Sequence, residues 1–276
     1  MPYGCPWRKP GGCRRLLGPR VGYNGRIVAP TGRLTGLVER VKRSLGLLLM
    51  AAGLAAVAAL AFAASWPDME ATMFDPSSAG TASRLGELRC PLVITADETA
   101  AVRVRFANPG SRPASFVVRS RISQGLLTLI RQDSQVVRLE PGERKDLSWP
   151  VTARDAAFGR VVLARVYATQ SATQPARGAS CGILVLGVTA LGGVQVFALG
   201  LLGSLALLVL GAAAFAATRR PLVRRDRSLA RALGALTTVV LLSLGAGLLG
   251  WWALSHVLQI LFVLMVGATL ERFNHM

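Results

Sequence analysis

Three long runs of the chain carry no acidic or basic side chain apart from one histidine, and a stretch of alternating apolar and polar residues separates the first from the second. The first run, Leu45 to Ala64 (LGLLLMAAGLAAVAALAFAA), has twenty residues. As a helix it measures about 30 Å, the thickness of a bilayer's hydrocarbon core, and it predicts a transmembrane helix over residues 45–65. Ala61-Phe62-Ala63 also has the small-x-small form of a signal-peptide cleavage site, so a cleaved signal stands as the alternative. The long basic region ahead of the run, and the run's own length, favour an uncleaved signal-anchor.

The second run, Gly182 to Ala217, is uncharged for 36 residues, too long for one untilted span. Its branched start, Ile183–Val188, reads as the last strand of the preceding domain, Gly192-Gly193 as a hinge, and residues 194–217 as the second span. The third run, Ala232 to Leu270, would be about 58 Å as one helix, twice what a bilayer needs. Its middle, Trp251-Trp252-Ala253-Leu254-Ser255-His256, has the aromatic and polar residues of a membrane–water interface. The run therefore divides into spans over 232–251 and 257–272 joined by a tight outer turn; because the last is short, three spans in all is the alternative to four.

Residues 66–86, rich in Pro, Ser, Gly and Ala, read as a linker. From Glu87 the period becomes two: Val102, Val104 and Phe106 alternate with Arg103 and Arg105; Phe116, Val118 and Ile122 alternate with Val117, Arg119 and Arg121. Leu147, Trp149 and Val151 repeat the pattern, as do Val162, Ala164, Val166 and Ala168. Asn108-Pro109-Gly110 and Pro141-Gly142 supply turns. About six to eight short strands at this spacing predict a two-sheet antiparallel sandwich over residues 87–190. The fold class expected is thus about four membrane helices plus an all-β ectodomain.

Charge orients this arrangement. The 276 residues are 52% hydrophobic and only 17% charged, with 32 Lys+Arg against 14 Asp+Glu and a net charge of +18. Ten of the basic residues lie in residues 1–44, beside one acid, Glu39, and six in residues 218–231, beside Asp226. Both stretches border apolar runs, the positive-inside pattern, so the tail 1–44 (expected to be largely disordered) and the loop 218–231 are placed in the cytoplasm, and residues 66–190 outside a plasma or inner membrane. The basic residues do not form a recognisable nucleic-acid module, and no nucleic-acid partner is expected.

Val104–Gly110 (VRFANPG) and Leu139–Trp149 (LEPGERKDLSW) resemble bacterial immunoglobulin-like domains of the CARDB type. That resemblance covers roughly a third of the chain and implies an adhesive or spacing module without catalytic residues of its own.

Cys90 and Cys181 bracket the β-region on the oxidising side and are expected to form a disulfide, two buried thiols being the alternative. Cys5 and Cys13 fit no common zinc spacing and are expected to be reduced. Ser255, His256 and Gln259 form a candidate intramembrane polar site, weighed against a plain interfacial turn; His275, the other histidine, lies at the opposite end. Arg103, Arg105, Arg119 and Arg121 form a candidate anion-facing surface, weighed against a solvated face. Small residues at i, i+4 spacing (Ala52 and Ala56, Gly200 and Ser204, Ala212 and Ala216, Ser243 and Gly247, Ala246 and Gly250) suit close helix packing. No hydrolase, metalloprotease or phosphate-loop motif occurs in a recognisable context. The expectation is a non-enzymatic membrane accessory or assembly subunit, with no cofactor or metal, embedded in lipid beside partner membrane subunits; homo-oligomerisation is compatible with it. A channel or carrier built by oligomerised helices, and a cell-wall carbohydrate-binding protein, are the alternatives.

Overall fold

The computed structural model describes residues 31–73, 83–84, 88–124, 129–170, 177–217 and 224–274. The tail 1–30 with Cys5 and Cys13, most of the expected linker after Met73, the first half of the basic loop (218–223) and His275 lie outside the described residues.

Helix α1, Thr31–Met73, is 43 residues long, about 65 Å. It begins inside the tail expected to be disordered and passes straight through Trp66-Pro67-Asp68, where a linker is expected. Pro67 removes one backbone donor, but Pro followed by Asp68 and Glu70 is also the signature of a first helical turn. Trp66 Nε1 donates to Glu70 Oε1 at 2.6 Å, and Thr72 Oγ1 to the Asp68 carbonyl at 2.8 Å, which hold this last stretch in helical form.

The β-region forms two sheets. Strands β1 (Ser83–Arg84), β9 (Arg177–Leu186), β8 (Val161–Thr169), β5 (Ala114–Gln124) and β6 (Leu129–Leu139) run in that spatial order, and β3 (Val93–Thr95) adds to β9 in parallel; β2 (Leu88–Arg89), β4 (Thr99–Ala107) and β7 (Arg144–Thr152) form a smaller antiparallel sheet. The first sheet is mixed, since β1 and β3 both pair with β9 in parallel, where an all-antiparallel arrangement is expected. Alternation is kept: Val102, Val104 and Phe106 of β4 face Val118 and Ile122 of β5 and Ala164 and Val166 of β8 in one apolar cluster, with Trp149 among them. Asn108 ties the two turn segments. Its Nδ2 donates to the carbonyls of Arg112 (2.8 Å) and Leu139 (3.1 Å), and its backbone carbonyl accepts from Gly142 N–H at 2.9 Å.

Strand β8 is buried on both faces. The end of α1 covers its outer side: Ala71, fully buried, packs with Ala157, Val161, Leu163 and Leu184. Asp68 Oδ1 accepts from Gly182 N–H at 3.0 Å, and Arg165 Nη1 donates to the Thr72 carbonyl at 3.4 Å, satisfying a carbonyl at the helix's C-terminal, partially negative end. A Cβ at Gly182 would fall on the Pro67 carbonyl, so only glycine lets strand and helix approach this closely.

Helices α2 (Gly193–Ala216), α3 (Arg224–Leu248) and α4 (Trp252–Asn274) pack around α1. Among the described residues, four helices are long and apolar enough to cross a membrane. Gly46, Met50 and Gly53 of α1 meet Leu208, Gly211 and Phe215 of α2. Ala52, Ala212 and Ala216, expected at such contacts, are exposed, whereas Ser204, Ser243, Ala246 and Gly247 are buried. The hinge expected at Gly192-Gly193 is instead a fastening: Gly193 N–H donates to Glu98 Oε2 at 2.7 Å, and the same oxygen accepts from Thr95 N–H at 3.1 Å, putting a carboxylate at the N-terminus of α2. The α3–α4 turn is shorter than expected. Gly250 takes a positive φ of 73° and Trp251 N–H reaches back to the Ala246 carbonyl at 2.9 Å, a Schellman ending, after which α4 starts at once.

Replacing Gly182 with Leu should separate α1 from β9 and lower the unfolding free energy of the full chain by about 1–3 kcal/mol. Thermal melts should show this, while Gly203→Leu on α2, with nothing within 4 Å of an added Cβ, should melt as the parent does.

Candidate functional site: the junction of helices and sheets

The residues singled out from the sequence fall into three groups: a polar set among the helices, the cysteines between the two sheets, and the arginines on the sheets' outer faces. Ser255 and Gln259 project from the first turns of α4 into the bundle. Ser255 is fully buried; its Oγ donates to the Ser243 carbonyl at 2.9 Å and lies 3.1 Å from Ser243 Oγ, which is also 3.1 Å from the Ser255 carbonyl. Gln259 Nε2 donates to Ser65 Oγ of α1 at 3.2 Å and to Ser255 Oγ at 3.3 Å. Ser65 Oγ in turn donates to the Ala61 carbonyl at 2.9 Å. Three helices are thus joined through hydroxyl and amide groups at one level of the bundle.

His256 is not a turn residue. It sits in the first turn of α4, with Nδ1 3.3 Å from Gln259 Oε1 and its ring edge-on to Phe62 (6.2 Å between centroids) and Trp252 (6.4 Å). Nε2 is buried without a hydrogen-bond partner. Ser65 and Ser243 are the members that sequence reasoning missed. Ser65 follows the first run and Ser243 stood only as half of a small-residue pair; a single buried serine in an apolar run gives no periodic signal. Among the described residues no three His, Cys, Asp or Glu side chains gather as a metal site.

Cys90 and Cys181 are joined as a disulfide with Cα atoms 6.5 Å apart. Cys90 follows β2 of the smaller sheet, and Cys181 lies in the middle of β9 rather than before the last strand. The bond therefore ties the two sheets together, immediately before the residue on which α1 rests.

The four arginines do not make one surface. Arg103 and Arg105 point outward from the smaller sheet, and Arg119 and Arg121 from the opposite, outer side of the larger one, because the even-numbered neighbours on both strands fill the shared core. Arg105 makes a two-pronged contact with Asp146, Nε to Oδ1 at 2.7 Å and Nη2 to Oδ2 at 3.0 Å. Those hydrogen bonds hold the Asp146 carboxyl below the usual carboxylate range, aided by the charges of Arg105, Arg89 and Arg103. Arg121 stacks over the Tyr167 ring at 5.8 Å, and Arg165 over the same ring at 5.3 Å. The second pair of arginines is therefore continuous with Arg165 and the end of α1.

Substituting Ala for both Cys90 and Cys181 opens a loop of 91 residues, and should destabilise the β-region by about 4–5 kcal/mol on the chain-entropy account. Denaturant titration with and without reductant should show equal losses for the variant and the reduced parent. A double-mutant cycle on Ser65→Ala and Gln259→Leu should give a coupling of about 0.6–1.7 kcal/mol between α1 and α4, read from unfolding in mixed micelles.

No protein-family model and no curated protein matches the chain. Among solved structures it is similar to the CARDB domain of a Pyrococcus furiosus protein in complex with di-metal ions, at 20% identity and a TM-score of 0.29, covering 36% of this chain and 84% of that one. A cycloisomaltooligosaccharide glucanotransferase from Paenibacillus (13%, TM-score 0.28) and a β-glucosidase from Listeria innocua (18%, TM-score 0.26) also match. They align with 39% and 38% of this chain, which spans only 14% and 16% of their length. TM-scores this low decide neither fold nor activity.

Proposed function

We propose that the protein is a non-enzymatic integral membrane subunit that presents an immunoglobulin-like domain outside a plasma or inner membrane, held in one orientation for a partner membrane protein. The observation that carries this reading is the continuity of α1. A helix that serves as a span and then lies down on the sheet fixes the domain relative to the bilayer, as a presenting scaffold needs and a tether does not. The Glu98 contact at the start of α2 makes a second fastening, beside β3.

Two further features support it. The outward faces of α2 and α4 are broadly apolar, with Leu202, Val209, Ile260, Val263 and Leu264 each more than half exposed, a surface suited to lipid or to another subunit's helices. The basic flanks of α1 and of the loop before α3 favour a cytoplasmic N-terminus. Burial inside the bundle goes to packing and to the serine–glutamine cluster; among the described residues, no acidic or basic side chain of α1, α2, α3 or α4 is buried.

Cross-linking in native membranes followed by mass spectrometry should recover one membrane protein attached through residues 88–186 or through α2 and α4. Replacing the four helices with unrelated spans should abolish that association. Purification as a lone monomer from cross-linked membranes would contradict the reading, and solute flux through vesicles holding the pure protein would replace it with a channel.

A further inference from the structure

Helix α1 carries an exposed apolar stripe along its length. Val38, Val41, Leu45 and Leu48 are 48% to 67% exposed, and Ala52, Ala55, Ala59 and Phe62 continue them as exposed positions. The steps between these residues are three and four in strict alternation, the a and d positions of a heptad, over a length of about 36 Å. Between Val41 and Ala64 the buried residues are Gly46, Gly53, Leu54, Val57, Ala61 and Ala64, and every one of them takes a b, c or f position. Those are the residues that pack on α2, α3 and α4. The chain's own bundle therefore uses one side of α1 and leaves the heptad seam on the other.

Lipid tails do not account for all of this seam. Val38 and Val41 precede Lys42 and Arg43, on the basic side of the charge-free run that starts at Leu45, where a helix meets headgroups and water. Leu34 extends the same spacing one step further into the basic tail. The charges stay off the seam. Glu39 and Arg43 take b and f positions, and Arg43 lies over the Phe215 ring of α2 at 5.8 Å. Lys42 flanks the seam at e, where a long stem packs over apolar surface while its ammonium stays in solvent. Two copies inserted the same way round present parallel helices at one depth. Each a position then meets its own counterpart, and each d likewise, with no base set opposite a base. Ala52, Ala55 and Ala59 keep the middle of the seam narrow enough for two backbones to approach closely.

We infer that the protein self-associates through this seam, two copies of α1 forming a parallel left-handed pair about a two-fold axis along the membrane normal. The inference rests on the proposal that the helices cross a membrane and goes beyond the proposal of a partner subunit. A 3.5-residue repeat of apolar side chains is the pattern that winds two helices around each other, and here both helices carry it at the same depth. Ala52, exposed in the single chain, gains its close neighbour in the pair.

The test uses the full chain in native membranes with Cys5→Ser and Cys13→Ser, so that each variant holds one added thiol beside the Cys90–Cys181 bridge. Val38→Cys, Val41→Cys, Leu45→Cys and Leu48→Cys probe the seam. Glu39→Cys and Leu47→Cys lie beside it, Leu202→Cys is on α2 and Val263→Cys on α4. A disulfide needs Cα atoms within about 7 Å, so after mild oxidation the four seam positions should give about fivefold more linked dimer on non-reducing gels than the other four. Adding Ala55→Phe, at an exposed position of the single chain, should lower the dimer yield of Leu45→Cys about tenfold while circular dichroism stays that of the parent. Equal linking at all eight positions, strongest linking at Leu202 or Val263, no linking at any, or linking of the seam to a different protein alone would overturn the assignment. Alkaline carbonate extraction separates the two levels. Release from the membrane removes the membrane reading and the seam pair with it; retention without seam linking removes the pair alone.

Discussion

The contact between the last two turns of α1 and strands β8 and β9 is the main joint between the β-region and the helices, with the Glu98 contact to Gly193 N–H beside it. Gly182 has no side chain, so the Pro67 carbonyl can lie against the strand, Asp68 can accept the Gly182 N–H, and Ala71 can close over Val161, Leu163 and Leu184. Each part is small. Together they cover much of the outer face of β8 and part of that of β9, and turn a helix end into a structural beam. The disulfide at Cys181, one residue before Gly182, brings the smaller sheet into the same joint, and Arg165 places a positive group on the helix's terminal carbonyls.

The bundle is organised around the same end. A cluster of Ser65, Ser243, Ser255 and Gln259 joins α1, α3 and α4 just below the joint, while glycines let α1 and α2 approach farther along. Hydrogen bonds among apolar helices have strict geometry, so they select one register where dispersion packing alone tolerates several. On the membrane reading proposed above, the polar cluster and the tryptophans of the α3–α4 turn fall near one headgroup level.

The long apolar helices and the inward residues of β4, β5, β7 and β8 were legible because their signals are periodic and extend over many residues. The turns at Asn108 and Gly142 were legible from local chemistry. Apart from the Cys90–Cys181 pairing, what escaped was whatever depends on two distant segments meeting. Trp66-Pro67-Asp68 has the composition of a linker, and only its docking on Gly182 shows it to be helix; the Pro, Asp, Glu order of a first helical turn was the signal available. The alternation of Val162, Ala164 and Val166 predicts one covered face; the second, at Val161 and Leu163, is covered by the end of α1, which nothing local in the sequence names. Likewise the arginines of β4 and β5 alternate identically, and only the facing of the sheets separates them into two surfaces.

The central claim is that residues 66–73 are a docked helix and not a flexible connection. Hydrogen–deuterium exchange of the full chain in lipid nanodiscs tests it most directly. A peptide covering residues 66–73 should remain protected for hours, as should the Gly182 amide, with rates close to those of the β8 core. Exchange of that peptide within seconds, beside protected spans and strands, would show a β-region merely tethered to its helices and would contradict the account.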